Sequence, residues 1–317
     1  MNNASSKSSS FIIINYLLLF GCGLIWGSQY FLNKIALESF STSMIAAGRI
    51  GIGALTLMLI LLLGGETSKP LNPKRSFWQC LPDFILIGLL EATIPTLLVA
   101  WAQHQLPSSV TAILIGTVPL FATIMEGLFV KGHTISAIKI IGIILGFFGV
   151  VVLAGKDLLD SHLTSFASSS LPLLPIVAVL GAAFCFSMTM LLIKIRLSPN
   201  LGPIHAAQGI LLGASLTALP LMIVVTKPWT LTSFHPVSSA SLALALLGIF
   251  CGGIVYILYV RLINRAGPSF ASTCNYLVPP IGAFIGIVFS GEKMTSNVIA
   301  ALVLILVALW FSRGTSK

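Results

Sequence analysis

Two stretches of the chain begin with the same Val-Pro pair and end with the same Phe, VPLFATIMEGLF at residues 118–129 and VPPIGAFIGIVF at residues 278–289. They lie 160 positions apart, and the same offset relates other positions without a gap. Examples are Lys34-Ile35 with Lys194-Ile195, Ala46-Ala47 with Ala206-Ala207, Gly53-Ala54 with Gly213-Ala214, and Gly88 with Gly248. Matches of Ile or Ala are expected by chance in an apolar chain, but a matching proline and matching dipeptides at one constant offset are not. The sequence therefore indicates that the chain consists of two related halves.

The composition excludes a soluble protein. Hydrophobic residues make up 56% of the 317 residues, charged residues make up 8%, and the mean hydropathy is +1.03. A soluble domain carries about 25% charged residues, so this chain cannot cover a water-facing surface. Its apolar stretches also reach the roughly 20 residues that cross a bilayer. The sequence therefore predicts an all-α polytopic membrane protein.

Polar breaks divide the chain into ten predicted transmembrane helices, five in each half. They run approximately over residues 12–33, 42–63, 82–104, 107–130, 136–155, 172–194, 204–225, 240–261, 268–290 and 296–312. Because five is odd, the second half enters the membrane from the opposite side, and we predict two inverted five-helix repeats, as in many secondary transporters. The predicted organisation is a disordered cytoplasmic tail (1–10), a first repeat (11–155), a linker (156–171), a second repeat (172–313) and a cytoplasmic tail (314–317).

The net charge of +9 reflects orientation in the membrane. With the N-terminus in the cytoplasm, twelve of the 17 basic residues fall on the inner side and five fall outside or within the bundle. This bias follows the positive-inside rule, so we predict that both termini are cytoplasmic and that the chain binds no nucleic acid.

The polar motifs of enzymes and metal proteins are missing from the sequence. The five cysteines form no CxxC, and the five histidines make neither HxxH nor a His/Cys cluster. No phosphate-binding loop and no nucleophile–base arrangement is present. We therefore predict no metal, no cofactor and no catalytic activity, and ATP-driven transport would need another subunit.

Prolines within the spans mark candidate gating positions. Pro119 and Pro279 occupy equivalent places in the fourth and ninth predicted helices. A proline kinks a helix and frees carbonyl groups, which in a membrane must face protein or water. Symmetric kinks suit a pathway that opens alternately to the two sides, although packing adjustment alone is the other interpretation.

These features resemble the EamA family of the drug/metabolite transporter superfamily. The resemblance is carried by Leu24-Ile25-Trp26-Gly27-Ser28-Gln29-Tyr30, by the two prolines, and by Gly291-Glu292-Lys293 after the ninth helix, and it covers about residues 11–313. It implies a central cavity built by helices 1–4 and 6–9, with helices 5 and 10 at the periphery. The first half departs from the family pattern, because Gly132 stands at the position equivalent to Glu292. We expect Glu292 to make a structural polar contact.

Arg49 and Glu91 are the charges that lie well inside predicted spans. Each would cost roughly 2.5–3.5 kcal/mol at a lipid-facing helix centre, so both should face the bundle interior. One hypothesis is a mutual ion pair that locks helices 2 and 3. The other is that Arg49 binds a substrate carboxylate while Glu91 contacts an amine or carries a proton, since a guanidinium presents a planar fork of donors to a carboxylate.

Aromatic and amide side chains complete the predicted substrate-binding cavity. Aromatic faces bind apolar groups or a cationic amine, and a buried amide needs a partner. The alternative role for the aromatic residues is an interfacial belt. The cavity residues that we predict in addition to Arg49 and Glu91 are Trp26, Gln29, Tyr30, Gln208, Tyr256, Asn275 and Tyr276.

The sequence as a whole predicts a secondary transporter of the bacterial inner membrane. We expect it to move small organic metabolites, amino acids or related solutes, with export favoured, around a central cavity. The alternatives are efflux of drug-like amphiphiles and transport of nucleotide-type metabolites. An intramembrane enzyme or a lipid-handling protein is a further alternative, but polar groups within the spans are too few for an enzyme. Membrane lipids are the expected surroundings, and a monomer or a homodimer is compatible with the GxxxG pairs Gly142-Gly146 and Gly282-Gly286.

Overall fold

The computed structural model describes residues 2–63, 76–129, 136–160, 172–197, 201, 203–226, 238–266 and 274–312. Within these ranges the chain forms ten helical segments and no strand. The segments are α1 (Asn2–Ala36), α2 (Thr42–Leu62), α3 (Trp78–Ala102), α4 (Ser108–Ile115 and Val118–Phe129), α5 (Ala137–Asp160), α6 (Leu173–Leu197), α7 (Pro203–Thr226), α8 (Ser239–Leu246, Leu247–Ile254 and Val255–Ala266), α9 (Cys274–Ser290) and α10 (Ser296–Ser312).

Seven of these helices are long and apolar enough to cross a membrane, namely α1, α2, α3, α4, α6, α7 and α8. The other three, α5, α9 and α10, contain shorter apolar stretches of 10–17 residues. Large apolar side chains such as Leu63, Leu128 and Val224 are exposed on the outside of the bundle. In water such a surface would be unstable, whereas acyl chains cover it without cost.

Two helices extend beyond the predicted boundaries. The first begins at Asn2, where the sequence predicts a disordered tail, and α5 continues to Asp160, five residues into the predicted linker. Once a long apolar helix has formed, adding further residues needs no new nucleus, so polar residues without proline extend it readily. The rest of the predicted linker (161–171), the C-terminal tail (314–317) and Gly132 lie outside the described residues.

Pro119 and Pro279 have different effects on their helices. The fourth helix breaks at Gly116-Thr117, just before Pro119, whereas α9 passes through Pro279 and Pro280 without interruption. At the break, the Thr117 hydroxyl donates to the Leu114 carbonyl at 2.7 Å. The positions equivalent to the break in α9 hold Tyr276-Leu277, which lack the conformational freedom of glycine. The helix bounds therefore differ at the two prolines, and the role of Pro119 and Pro279 as gating positions stays a prediction.

Wide helical turns occur at related places in α3 and α8. Residues Leu89–Thr93 and Leu247–Ile254 form π-helical turns, and shifting the first range by 160 positions places it inside the second. In α3 the cause is Pro95, which cannot donate to the Glu91 carbonyl and pushes that turn open. In α8 the turn contains three glycines. Turns of this kind are frequent at functional sites.

Glycines allow close helix approach at two related crossings. A Cβ on Gly213 of α7 would lie 2.2 Å from the Phe84 carbonyl oxygen of α3, and one on Gly88 would lie 2.4 Å from the Ala214 nitrogen. At the crossing of α2 and α8, a Cβ on Gly53 would lie 3.0 Å from the Gly252 backbone, and Gly248 approaches Ile52 in the same way. Such approach gives the van der Waals contact that drives helix association in lipid.

The GxxxG pairs also pack within the chain. A Cβ on Gly146 would meet Leu120 at 2.0 Å, and one on Gly282 would meet Ala112 at 2.4 Å. Gly286 faces the Glu292 carboxylate. Gly146, Gly282 and Gly286 therefore pack within one chain, and the choice between monomer and homodimer stays a prediction.

The carboxylate of Glu292 joins α1, α4 and α9 at one end of the bundle. Gly291 ends α9 with a φ of 62°, a left-handed conformation that glycine adopts without strain. The turn brings Glu292 to the N-terminus of α4, where its oxygens accept from Ser108 N at 2.8 Å, Ser108 Oγ at 2.7 Å and Ser109 N at 2.9 Å. Lys34 Nζ of α1 donates to the same carboxylate at 3.0 Å. The expected structural polar contact is therefore present.

These contacts determine the protonation of Glu292. Burial by itself raises the pKa of the carboxyl group, but hydrogen bonds from Ser109, Ser108 and Lys34 outweigh it and lower the pKa from 4.5 to about 2. The carboxylate also neutralises the positive end of the helix that begins at Ser108.

The crossing of α3 and α7 can be tested with one methyl group. In Gly213→Ala the new Cβ collides with backbone, which cannot move aside, so we expect the free energy of unfolding to fall by about 1–3 kcal/mol. Thermal unfolding in detergent measures the effect. Gly51→Ala is the matched control, because a Cβ there meets nothing within 4 Å, and it should leave the melting temperature unchanged or raise it. Equal melting temperatures for the two variants would contradict the close crossing.

The Glu292 contacts predict a pH-dependent stability. Because the pKa is lowered on folding, the stabilisation is present above pH 4.5 and is lost as the pH falls from 4.5 towards about 2. Glu292→Gln should lower the free energy of unfolding by about 2 kcal/mol at pH 7, and the difference from the unmodified protein should shrink below pH 4.5. Melting curves at several pH values check this, with the exposed neighbour Lys293→Gln as control. A difference that is independent of pH would refute the assignment.

Candidate functional site

A central cavity lies between the helices. It holds about 820 Å³ of space unoccupied by protein atoms, including the part open to solvent. Its walls come from α1–α4 and α6–α9, the set of helices that the family resemblance implies. The lining residues are Trp26, Gln29, Tyr30, Arg49, Ile50, Glu91, Ala92, Thr96, Ile115, Val118, Phe186, Met190, Leu211, Cys251, Gly252, Tyr256, Asn275 and Val278.

The lining repeats the offset found in the sequence. Fourteen of these residues form seven pairs whose numbers differ by 160. The pairs are 26 with 186, 30 with 190, 91 with 251, 92 with 252, 96 with 256, 115 with 275, and 118 with 278. The two halves therefore contribute equivalent positions to one wall, and the residue types differ in six of the seven pairs.

Arg49 reaches the cavity from α2 and is held by α1. Its Nη2 donates to Gln29 Oε1 at 2.6 Å. The remaining donors of the guanidinium have no other partner recorded among the described residues. Because a guanidinium carries five N–H donors in one plane, Arg49 can bind an anionic group in the cavity while keeping its contact with Gln29.

Glu91 reaches the cavity from the π-helical turn of α3 and is held by α6. The Thr189 hydroxyl is hydrogen-bonded to Glu91 Oε2, and the Tyr256 hydroxyl of α8 is close enough to interact with the same carboxyl group. In the part of the chain that the structure describes, no ion pair within 4.0 Å joins Glu91 to Arg49. The mutual ion pair that the sequence left open is therefore not the arrangement found.

Aromatic rings form an apolar part of the wall. The Trp26 ring meets Tyr256 edge-on, with centroids 6.4 Å apart, and Tyr259 with centroids 5.2 Å apart. Tyr30 and Phe186 also line the cavity. This wall can cover an apolar side chain, and its ring faces can attract a cationic amine.

Seven of the nine predicted cavity residues lie together around this space, and two do not. The seven are Trp26, Gln29, Tyr30, Arg49, Glu91, Tyr256 and Asn275. Gln208 is buried in α7 outside the lining, with its Oε1 atom unpartnered. Tyr276 packs against the main apolar core. On α7 the cavity is lined by Leu211, one turn after Gln208, and on α9 it is lined by Asn275, the residue before Tyr276.

The sequence analysis missed Thr96, Ile115, Phe186, Met190, Cys251 and the Glu91 partner Thr189. A signal for them was available, because each lies 160 positions from a residue that was selected: Tyr256, Asn275, Trp26, Tyr30, Glu91 and Gln29 respectively. Their apolar or small side chains gave no reason to choose them individually. The offset, applied to the selected residues, identifies all six.

Comparison with known proteins agrees with this architecture. The chain is 29% identical over 293 residues to the uncharacterized inner membrane transporter YedA of Escherichia coli (strain K12), covering 92% of this chain and 88% of YedA. It is 23% identical over 293 residues to the uncharacterized transporter YoaV of Bacillus subtilis (strain 168), covering 92% and 94%. A solved crystal structure shares the fold, with a TM-score of 0.60 at 17% identity, over 94% of this chain and 95% of that one.

The family assignment follows from a match that takes in both halves. The model of the EamA-like transporter family matches residues 13–155 and 173–314, nearly the whole chain. Apolar helices of membrane-spanning length and relatives in the inner membrane agree with that match. The chain therefore belongs to the EamA-like transporter family and is a multi-pass membrane transporter.

Proposed function

We propose that this protein is a secondary transporter that exports amino acids or closely related small metabolites. Transport would proceed by alternating access, with two inverted five-helix halves rocking about the central cavity and both termini in the cytoplasm. The observation that carries the proposal is the cavity itself, whose walls combine one cation, one anion and several aromatic rings at positions drawn from both halves.

The paired lining positions support the rocking of two related halves. A site built from equivalent positions lies near the axis that relates them, where each half can move against the other without destroying either wall. The glycine crossings of α3 with α7 and of α2 with α8 also support this motion. Each crossing joins one half to the other, and the two crossings lie at equivalent positions of the repeat.

The charges favour a zwitterionic solute. Arg49 and Glu91 are the single basic and the single acidic residue among the described residues that line the cavity. Each would cost roughly 2.5–3.5 kcal/mol if it faced lipid, so a function inside the bundle explains why both occur there. An amino acid offers a carboxylate for the guanidinium of Arg49 and an ammonium group for the carboxyl of Glu91.

Drug-like amphiphiles are a second candidate, favoured by the rings of Trp26, Phe186 and Tyr256 in the wall. Nucleotide-type metabolites fit less well, because the lining described here contains one cation and several phosphate oxygens would need more. A screen of ligand classes separates these candidates.

The amino-acid assignment predicts a specific effect of Arg49. In a thermal-shift screen of purified protein against amino acids, nucleotides and cationic drugs, an amino acid should raise the melting temperature, since a ligand at 100 times its Kd stabilises by about 2.7 kcal/mol. Arg49→Gln should weaken the binding of that amino acid at least tenfold. Arg261→Gln, an exposed arginine on α8, is the control. Stabilisation by cationic drugs alone would favour the second candidate instead.

Proton coupling through Glu91 is the second part of the proposal. In liposomes, efflux of a radiolabelled mixture of the common amino acids should respond to an imposed pH gradient, and Glu91→Gln should remove the response while leaving protein in the membrane. Glu38→Gln, an exposed carboxyl at the end of α1, should behave as the unmodified protein. Transport that ignores the gradient in the unmodified protein would rule out the coupling.

A further inference from the structure

The hydroxyl of Thr189 lies between two acceptors on different helices. It is hydrogen-bonded to Glu91 Oε2 of α3, and it is 2.8 Å from the carbonyl oxygen of Phe186, one turn earlier in its own helix α6. Thr189 is fully buried, with 0% of its surface exposed. No water competes for these contacts at the threonine.

The number of protons decides whether one or both of these contacts form. A threonine hydroxyl has one proton to donate and lone pairs to accept. If Glu91 is protonated, it donates to Thr189 and Thr189 donates to the Phe186 carbonyl, so both contacts form. If Glu91 is ionised, the single hydroxyl proton is drawn to the carboxylate, because a bond to an ionised acceptor is the stronger one. The contact with Phe186 is then lost.

The equivalent position in the first half makes a contact of another kind. Gln29 lies 160 positions before Thr189, and it accepts a hydrogen bond from Arg49. The charge of an arginine is permanent, so this contact persists at every pH. Gln29 and Thr189 thus each bind one charged side chain of the cavity. Of these two side chains, Glu91 can change its protonation and Arg49 cannot.

We propose that Thr189 is a positioning residue that couples the protonation of Glu91 to the contact between the Thr189 hydroxyl and the Phe186 carbonyl in α6, an inference that rests on the proposed proton coupling through Glu91. When Glu91 releases its proton to solvent, the hydroxyl turns from the Phe186 carbonyl to the carboxylate, so the contact with α3 is kept and the contact within α6 is lost. When Glu91 is protonated again, the hydroxyl turns back to its own helix. Phe186 lines the cavity, so the exchange occurs at the site of the solute.

The other groups that face Glu91 do not replace this role. The titratable or charged groups that interact with it are Arg49 of α2, Cys185 of α6, and Tyr256 and Tyr259 of α8. From α7, which also packs on this turn, Ala214 and Thr217 contact Thr93. Of these groups, Cys185 alone shares a helix with Thr189, and a thiol is a weak donor.

Infrared spectroscopy of the purified protein can test the inference without any solute. The carbonyl stretch of protonated Glu91 is the pH-dependent carboxyl band that Glu91→Gln removes. Thr189→Val keeps the shape of the side chain and deletes the hydroxyl, so the titration midpoint of that band should move by about one pH unit. Thr189→Ser restores the hydroxyl and should restore the midpoint. If the valine variant does not fold, Thr189→Ala deletes the same hydroxyl.

Thr56→Val is the matched control, because the Thr56 hydroxyl also donates to a backbone carbonyl of its own helix, that of Ile52 at 2.8 Å. It should leave the midpoint unchanged even if it lowers the melting temperature. An unmoved midpoint in Thr189→Val, or a serine variant that behaves like valine, overturns the role of Thr189 and leaves the coupling through Glu91 standing. If Glu91→Gln removes no pH-dependent band, Glu91 does not titrate, and both proposals fall.

Discussion

Within the hydrocarbon core of a bilayer there is no water to bind a free carbonyl, guanidinium or carboxylate, and every such group must find its partner in the protein. This constraint explains where the structure departs from regular helix. At the break before Pro119, the Leu114 carbonyl accepts from both Thr117 N and the Thr117 hydroxyl. The π-helical turn at Glu91 follows from the donor that Pro95 lacks. Both irregularities border the central cavity, where protein and not lipid surrounds the exposed backbone.

The same constraint gathers the charged side chains. Arg49 is held from α1 and Glu91 from α6, so each charge is tied to a helix other than its own. Neither charge neutralises the other directly, and both therefore keep bonding capacity for a solute. A direct ion pair would have satisfied the guanidinium and the carboxylate with each other. It would then have left the cavity without a cation or an anion to bind a solute.

Polar contacts at the two ends of the bundle are not equivalent between the halves. Glu292 binds Lys34 and the start of α4, whereas Arg196 at the end of α6 binds Asp83 at the start of α3 at 2.9 Å. Shifted by 160 positions, this second pair corresponds to Ala36 and Ala243, which are buried in one apolar cluster. The halves share their cavity positions and glycine crossings, and they have diverged in the contacts that hold the ends.

The sequence by itself determined that this is a helical membrane protein of two related halves, and that Arg49 and Glu91 avoid lipid. Those conclusions follow from composition, length and offset, which are properties written along the chain. Only the tertiary structure decided that Gln29 and Thr189 hold the two charges, and that Gln208 and Tyr276 lie outside the cavity. Which residues of a helix meet the cavity depends on the rotation of the helix and on its position along its axis relative to its neighbours. Both are set by close crossings such as Gly213 on Phe84, between residues far apart in the chain.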